Sequence, residues 1–158
     1  MPISAEHIGR TFPPGDPQLI SPERVAAFAD ALGDSDPIYR GADALVPPTF
    51  VMSAAASAWQ AMFDDPELEL SLARTVHADQ RFLWHRPLRA GDLITPQLTI
   101  TNVRARGGNE TIGIRVSITA REAEAVAEGI DTGAEEVCVA ESTFVHSRPA
   151  GDDQEGTA

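Results

Sequence analysis

The chain has 158 residues but contains no lysine and only one cysteine. Without lysine, Schiff-base chemistry and a phosphate-binding loop that depends on lysine are both excluded. The single cysteine, Cys138, cannot form an internal disulfide, and the N-terminal residues MPISAEHIGR lack the basic and apolar pattern of a secretory signal. We therefore expect a protein of a reducing, cytoplasmic compartment.

Positive charge is also scarce. The chain has twelve arginines and 24 acidic residues, so the formal net charge is −12 at pH 7. Phosphate binding needs a basic face, which excludes nucleic acid as a partner.

The apolar stretch 47–63 begins with two prolines and includes Ser53 and Ser57, so we expect no membrane span. Four arginines lie close together in the sequence at 74–89: Arg74, Arg81, Arg86 and Arg89. They either contact the phosphates of a coenzyme A or phosphopantetheine ligand or form ion pairs with neighbouring carboxylates.

The first half of the sequence predicts one short strand and two helices. Residues 8–12 are typical of a strand that ends before two prolines. Ser21, Pro22 and Glu23 form a helix start, and Gly33 is placed to end that helix. The sequence FVMSAAASAWQAMF (50–63) is apolar on nearly every side, which predicts a second helix buried all round.

The second half has the alternating pattern of β-strands. Strands are predicted at 74–85, 92–105, 110–122 and 135–146, with a hairpin turn at 106–109 and a solvated excursion at 123–135. Residues 148–158 have no apolar pattern and are predicted to be a disordered tail after a single domain of residues 1–147. The fold class is therefore α+β, with a curved antiparallel sheet wrapped around a central apolar helix. Such a sheet leaves open edges, which dimerisation commonly covers.

A short loop after the first helix carries the pattern of an active site. It reads Gly33-Asp34-Ser35-Asp36-Pro37-Ile38-Tyr39 and places a carboxylate at a fixed spacing from an aromatic residue. A phenol is almost wholly protonated at neutral pH, so Tyr39 is unsuited to act as a general base. Asp36 is interpreted as an Asx turn before proline rather than as a second base.

This loop, the preceding Phe28 and the run RPLRAGD (86–92) resemble the MaoC-like hot-dog family of (R)-specific enoyl hydratases and (3R)-hydroxyacyl dehydratases. The family motif is approximately Gly-Asp-x-Asn-Pro-(Ile/Leu)-His, and the resemblance extends over residues 8–148. It implies a hot-dog fold and chemistry on an acyl-CoA or acyl-carrier-protein thioester, without a cofactor. It also implies a catalytic role for Asp34, the acidic member of the family's Asp/His dyad. Tyr39 replaces the histidine of that dyad.

A second departure lies where the family begins its central helix with a His-Gly-Met-like turn. Here Pro47 and Pro48 precede Thr49 and Phe50, and prolines have no N–H to donate to a thioester carbonyl. This PPTF sequence resembles the non-catalytic subunit type of actinobacterial (3R)-hydroxyacyl-ACP dehydratases. That resemblance implies a heterodimer with a catalytic MaoC-like subunit that retains the dyad.

By the same resemblance, the thioester would lie near Asp34, Tyr39 and the helix start at Pro48, Thr49 and Phe50. The candidates for an acyl channel on the central helix are Met52, Ala55, Ala56 and Trp59. His85 is a candidate surrogate base. No metal site is predicted, because the histidines lack further ligands at metal-binding spacing. Two alternatives stay open: an active homodimeric enoyl-CoA hydratase that uses Asp34, and a thioester-binding or structural protein without turnover.

Overall fold

The computed structural model describes residues 2–149. Three α-helices and five strands occur in this part of the chain, in the order β1 (Gln18–Leu19), α1 (Pro22–Ala31), α2 (Met52–Phe63), β2 (Thr75–Trp84), β3 (Asp92–Arg106), β4 (Asn109–Glu122), α3 (Ala123–Ala127) and β5 (Glu135–Ser147). Short 3₁₀ turns precede or connect them at Ala5–His7, Pro37–Tyr39, Pro48–Val51 and Leu72–Arg74.

The five strands form one antiparallel sheet in the order β1-β3-β4-β5-β2. The four long strands predicted from the sequence are confirmed. The hairpin between β3 and β4 turns at Gly107 and Gly108, which both have positive φ angles. This order leaves β2, a strand of ten residues, at one edge of the sheet.

Strict alternation along β4 defines the two faces of the sheet. Ile112, Ile114, Val116 and Ile118 are fully buried, whereas the residues between them are partly or fully exposed. Side chains of a strand alternate between faces, so the buried set lies on the concave side, where it joins α2 in a single hydrophobic core. The predicted fold class, an α+β domain with a curved sheet packed on a central helix, is confirmed.

The prediction that the second helix is buried on all sides is wrong. Only one stripe of α2 is buried, formed by Ala54, Ala55, Ala58 and Met62. The opposite face is exposed to solvent at Ser53, Ala56, Ser57, Gln60 and Ala61. A single sheet offers one concave face and therefore covers one side of the helix. The exposed side consists of alanines and of polar serine and glutamine side chains.

The predicted strand at 8–12 is also wrong as a regular strand. The segment runs along β3, with backbone hydrogen bonds from Gly9 to Ile100 at 2.8 Å and from Phe12 to Leu98 at 2.9 Å. Gly9 has a φ of 91°, however, and Thr11 with Thr99 is an isolated bridge rather than part of a regular ladder. Two prolines follow and have no N–H groups for a ladder. The regular pairing occurs later, where β1 pairs with Ile94 and Leu93 of β3.

The remaining segments follow the sequence predictions in part. The excursion at 123–135 includes the short helix α3, and within residues 2–149 no helix is both long and apolar enough to cross a membrane. Residues 150–158 of the predicted tail lie outside the described residues.

Candidate functional site

The end of α1 determines where the Asp34 loop begins. Gly33 adopts a φ of 72°, a left-handed conformation that favours glycine. Its N–H donates to the carbonyl of Asp30 at 3.0 Å, and the Asp34 N–H donates to the carbonyl of Ala29 at 2.9 Å. These two bonds form a Schellman motif, so the glycine seen in the sequence ends the helix and fixes the backbone of Asp34.

Two aspartates then shape the loop through its own backbone. Asp34 accepts a hydrogen bond at Oδ1 from the N–H of Asp36, and Asp36 accepts one at Oδ1 from the N–H of Ile38, each at 2.9 Å. The Asx turn predicted at Asp36 is therefore present, and it caps the turn Pro37–Tyr39. The Asp34 atom Oδ2 has no hydrogen-bond partner among residues 2–149.

Arg40 holds this loop against α1, a role that the sequence analysis missed. Its guanidinium donates to the carbonyl of Ala26 at 3.1 Å, to the Asp30 carboxylate at 2.7 Å and to the carbonyl of Asp34 at 3.0 Å. The pair of Arg40 with Asp30 is partly exposed. The sequence offers only a weak signal for such a clamp, because one arginine after a helical cap is indistinguishable from a surface arginine.

Tyr39 lies at the end of the turn Pro37–Tyr39 in this loop. Its ring is half-buried against the hydrophobic core, and its backbone N–H donates to the carbonyl of Asp36 at 3.2 Å. The hydroxyl makes no hydrogen bond within the described part of the chain. The ring therefore fills space, while the hydroxyl remains able to bind a ligand.

The central helix begins with a turn that has few donors. Pro47 and Pro48 lack an N–H, so Thr49 offers the first one, and the Phe50 N–H already donates to the carbonyl of Pro47 at 2.9 Å. The Phe50 ring is held edge-on by Phe28 of α1, with 5.3 Å between ring centroids. Backbone amides that could polarise a carbonyl are therefore reduced at this helix start.

A cavity of about 290 Å3 lies between this helix start and the end of β2. It is lined mainly by apolar residues: Val46, Pro48, Trp84, His85, Arg86, Pro87 and Leu88. The two sides are joined by the Val46 N–H, which donates to the carbonyl of Leu88 at 3.1 Å. The structure thus brings together Pro48 and His85 of the predicted site residues, whereas Asp34 and Tyr39 are not part of the lining.

The imidazole of His85 is engaged with a carboxylate. Its Nε2 lies 3.2 Å from Oε1 of Glu136, whose other oxygen accepts a hydrogen bond from the Ser117 hydroxyl at 2.5 Å. Ser117 belongs to the outward-facing set of β4, and Arg115 of the same set lies 3.5 Å from Glu136. The Ser117 hydrogen bond, with smaller contributions from His85 and Arg115, lowers the pKa of Glu136 despite partial burial. His85 is therefore directed to the outer face of the sheet.

The four channel candidates on α2 do not share one environment. Ala55 is fully buried and Met52 is half-buried, whereas Ala56 lies on the exposed face. Trp59 packs edge-on against Phe144 of β5, with 4.9 Å between ring centroids. Its indole Nε1 is buried without a hydrogen-bond partner among the described residues.

The arginines at 74–89 are partly neutralised. Arg86 binds the buried carboxylate of Asp92 through two nitrogens, at 2.9 and 3.1 Å, and it also contacts Glu135. The hydrogen bond to Asp92, supported by Glu135, raises the pKa of Arg86. Arg81 and Arg89 are exposed. Within residues 2–149, no three of the His, Cys, Asp and Glu side chains are grouped so that they could hold a metal ion.

Comparison with known proteins gives one family match and many relatives. The model of the FAS1-like, dehydratase domain region matches residues 6–129. The UPF0336 protein of Cutibacterium acnes is 45% identical over 151 residues, which cover 96% of this chain and 99% of that protein.

Solved structures share the architecture. The C-terminally truncated HadBC (3R-hydroxyacyl-ACP dehydratase) complex of Mycobacterium tuberculosis matches with a TM-score of 0.70 at 23% identity, covering 90% of this chain and 99% of the matched chain. The (R)-hydratase of A. caviae matches with a TM-score of 0.59 at 14% identity, covering 93% and 100%. At such identities the likeness shows the fold alone, which is the hot-dog fold expected from the sequence.

Proposed function

This chain belongs to the FAS1-like dehydratase domain family, and we propose that it is the acyl-thioester-binding subunit of an (R)-specific enoyl hydratase or (3R)-hydroxyacyl thioester dehydratase, a cytoplasmic hydro-lyase. A partner subunit with an intact Asp/His dyad supplies the catalytic groups. In the hydration direction, those groups place the hydroxyl of water on C3 and a proton on C2 of the enoyl thioester.

The observation that carries this proposal is the internal use of the loop's polar groups. Asp34 accepts from Asp36, and Asp36 accepts from Ile38, so both carboxylates support the turn itself. By the family resemblance, Tyr39 replaces the histidine of the dyad, and its ring is half-buried against the core. The loop retains the glycine, aspartate, proline and isoleucine of the hydratase motif, but it lacks an imidazole that could accept a proton from water.

The helix start supports the same conclusion. An oxyanion site needs N–H groups aimed at the thioester oxygen. Pro47 and Pro48 remove two of them, and the Phe50 N–H is occupied by the carbonyl of Pro47. We propose that Pro48, Thr49 and Phe50 contact the thioester end of the substrate through van der Waals contact rather than by polarising it.

Binding of an acyl chain fits the cavity beside this helix start. Its volume of about 290 Å3 and its walls of Val46, Trp84 and Leu88 suit an apolar ligand. From there the channel would follow α2 along Met52, Ala55, Ala56 and Trp59. The ligand is proposed to be an acyl-CoA or acyl-ACP thioester, and no cofactor takes part.

The partner is proposed to be a MaoC-like catalytic subunit. A hetero-complex is the state in which the structurally similar HadBC dehydratase was solved. In this chain, the edge strand β2 and the exposed face of α2 offer a surface that such a partner would cover. The two surfaces are adjacent, because Trp59 of α2 packs on His77 of β2 with 5.1 Å between ring centroids.

One observation favours a second candidate function, an active homodimeric hydratase. Oδ2 of Asp34 has no hydrogen-bond partner among the described residues, so this atom could orient a water molecule. His85 is less suited to assist as a surrogate base, because its ring binds Glu136 at the outer face. A binding protein without turnover is the third possibility.

Hydration of trans-2-enoyl-CoA by the purified chain tests these possibilities. We expect no turnover by the wild type alone, and turnover when a MaoC-like subunit with the intact dyad is added. Asp34→Asn in this chain should leave the activity of the mixture unchanged within about twofold, since Asn conserves the turn. Turnover by the chain alone that Asp34→Asn abolishes would instead establish the homodimeric enzyme.

Binding needs a separate measurement, because a catalytic partner could bind the substrate by itself. Calorimetry with a non-hydrolysable acyl-CoA analogue and this chain alone should show binding that Trp84→Ala or Leu88→Ala weakens. Thr101→Ala, an exposed residue of β3 outside the lining of the cavity, is the matched control. No binding and no effect on a partner's activity would leave a structural role.

A further inference from the structure

The end of the sheet that carries the β3–β4 hairpin has a concentration of unpaired positive charge. Three exposed arginines at this end form no ion pair within residues 2–149: Arg74, Arg104 and Arg106. Arg74 makes one hydrogen bond there, from its Nε to the carbonyl of Ser147 at 3.1 Å. On a chain with a formal net charge of −12, such a group is a local exception to the charge of the surface.

The strand register places these arginines on the outer face of the sheet. Arg106 of β3 pairs with Asn109 of β4, which pairs with Ser147 of β5, and Arg74 lies beside Ser147. Arg104 lies two residues before Arg106 in the same strand and therefore on the same face. The Ser147 hydroxyl donates to Oδ1 of Asn109 at 2.7 Å, so a polar pair lies between the arginines.

The carboxylate that follows Asn109 in the chain does not neutralise these arginines. The side chain of Glu110 is directed to the inner face and is 1% exposed. It already binds Nδ1 of His146 at 2.9 Å and the guanidinium of Arg148. Glu69 lies with Glu110 and His146 around a small cavity on that inner side. A group that docks on the outer face therefore meets the arginines first, within a screening length of about 8 Å at physiological ionic strength.

This end of the sheet is remote from the proposed thioester site. Strand β2 begins directly after Arg74 and ends at Trp84, which lines the apolar cavity. The ten residues of this strand span about 33 Å. A ligand in the cavity and a partner at the hairpin end can therefore be bound at the same time, so the arginines form a second, separate surface.

The spacing of the arginines suits an extended acidic segment. Arg106 and Arg74 are separated by three strand spacings, which is about 14 Å between their backbones. In an extended peptide, residues i and i+4 lie on one side and are also about 14 Å apart. A single phosphate would instead require both arginines to converge, although Arg74 is held by the carbonyl of Ser147. Asn109 and Ser147, between the arginines, offer polar side chains to the peptide backbone.

We propose that the outer face at the hairpin end, formed by Arg74, Arg104 and Arg106, is a docking surface for an extended acidic segment of a partner protein. The segment crosses the strands and carries carboxylates at alternate positions. Arg106 and Arg74 bind the outer carboxylates, and Arg104 adds a contact at the β3 side. Charge rather than buried apolar area supplies the attraction, so binding is rapid and sensitive to salt. The inference does not depend on the proposed activity.

Fluorescence anisotropy with the full chain and a labelled Glu-Ser-Glu-Ser-Glu peptide tests the surface. We expect saturable binding at low salt that is lost as sodium chloride is raised towards about 1 M. The double variant Arg104→Glu with Arg106→Glu should weaken binding about tenfold or more, because two attractive contacts become repulsive. Arg89→Glu with Arg121→Glu is the matched control. It reverses two exposed arginines at the other end of the sheet, changes the net charge equally and should bind within about twofold of the wild type.

A second peptide tests the spacing of the charges. Glu-Glu-Glu-Ser-Ser has the same composition but a shorter charged span, so it should bind about threefold weaker through the loss of one exposed ion pair. Arg74→Gln should remove this difference, because it deletes the distant charge. No saturable binding by the wild type, equal losses in the two double variants while both show wild-type circular dichroism, or equal binding of the two peptides would overturn the proposal. Equally effective displacement of the peptide by inorganic triphosphate would also overturn it and would identify a phosphate site.

Discussion

The Asp34 carboxylate accepts a hydrogen bond from the backbone N–H of Asp36, with 2.9 Å between the two atoms. This bond joins the acid of the hydratase-like motif to Asp36, the residue that caps the turn Pro37–Tyr39. Asp34 therefore has a structural role in this chain that does not require a histidine.

The first prediction concerns this structural role. Asp34→Ala removes the acceptor and should lower the free energy of unfolding by about 1 kcal/mol. Asp34→Asn retains an oxygen at the same place and should cost only about 0.3 kcal/mol. Denaturant unfolding measures both values, and Ser35→Ala on the same exposed loop is the control. Equal losses for the Ala and Asn variants would show that the negative charge of Asp34, and not its hydrogen bond to the turn, contributes to the free energy of unfolding.

A buried polar cluster links the C-terminal end of β5 to β4 and to the segment before β2. Glu110 of β4 is 1% exposed and binds Nδ1 of His146 at 2.9 Å, as well as the guanidinium of Arg148. The N–H of Ser71 donates to Nε2 of His146 at 3.2 Å, so the proton of the neutral ring lies on Nδ1. His146 thereby anchors the segment that leads into β2.

The second prediction is that this cluster contributes strongly to stability. His146→Leu leaves a buried carboxylate with one partner fewer and a backbone N–H without an acceptor, which should cost about 2–4 kcal/mol of unfolding free energy. His85→Leu removes a histidine–glutamate pair at an exposed position and should cost at most about 1 kcal/mol. Similar losses in denaturant unfolding would contradict the role given to burial.

The third prediction is a dependence of stability on pH through Glu136. Because the folded state lowers the pKa of this carboxyl below its ordinary value of 4.5, it contributes stability above that pH and loses the contribution as the pH falls through the lower, folded value. The side chain is 36% exposed, so solvent screening limits the effect.

Unfolding measured from about pH 6 to about pH 3 should therefore show a shallower decline for Glu136→Gln than for the wild type. Glu128→Gln, an exposed glutamate without an ion pair in the described structure, should follow the wild-type curve. Parallel curves for all three proteins would exclude Glu136 as a contributor.

The fourth prediction concerns the reactivity of the only thiol. Cys138 is fully buried, and burial, with the nearby charge of Glu136, raises its pKa to about 12. The thiolate is the reactive form, so iodoacetamide should modify native protein very slowly at neutral pH and unfolded protein readily. Ser35→Cys supplies an exposed comparison, and mass spectrometry gives the rates. Rapid native modification of Cys138 would indicate that β5 opens near this residue.

Local patterns were sufficient to predict much of this fold. Alternation along β4, the cap at Ser21 and the helix end at Gly33 all depend on near neighbours in the chain, and each is found as predicted. The prediction of a regular strand at 8–12 was wrong. The pairing of this segment depends on β3, which is distant in the chain, and the two prolines that follow have no N–H groups for a ladder.

The sequence could propose the site residues but not their grouping. Asp34 and Tyr39 share a loop because they are close in the chain, whereas Pro48 meets His85 only through the contact of Val46 with Leu88. The direction of His85 could not be inferred either, since it depends on Glu136, 51 residues away.

Composition and periodicity alone established an acidic α+β chain with one apolar helix, since these properties belong to each residue and its near neighbours. Only tertiary packing decided that one side of α2 stays exposed, that His77 lies on the helix side and that β2 is the open edge. Those outcomes depend on strand order and on the register shift between His77 and Asp79 of β2, which arise from contacts between residues far apart in the chain.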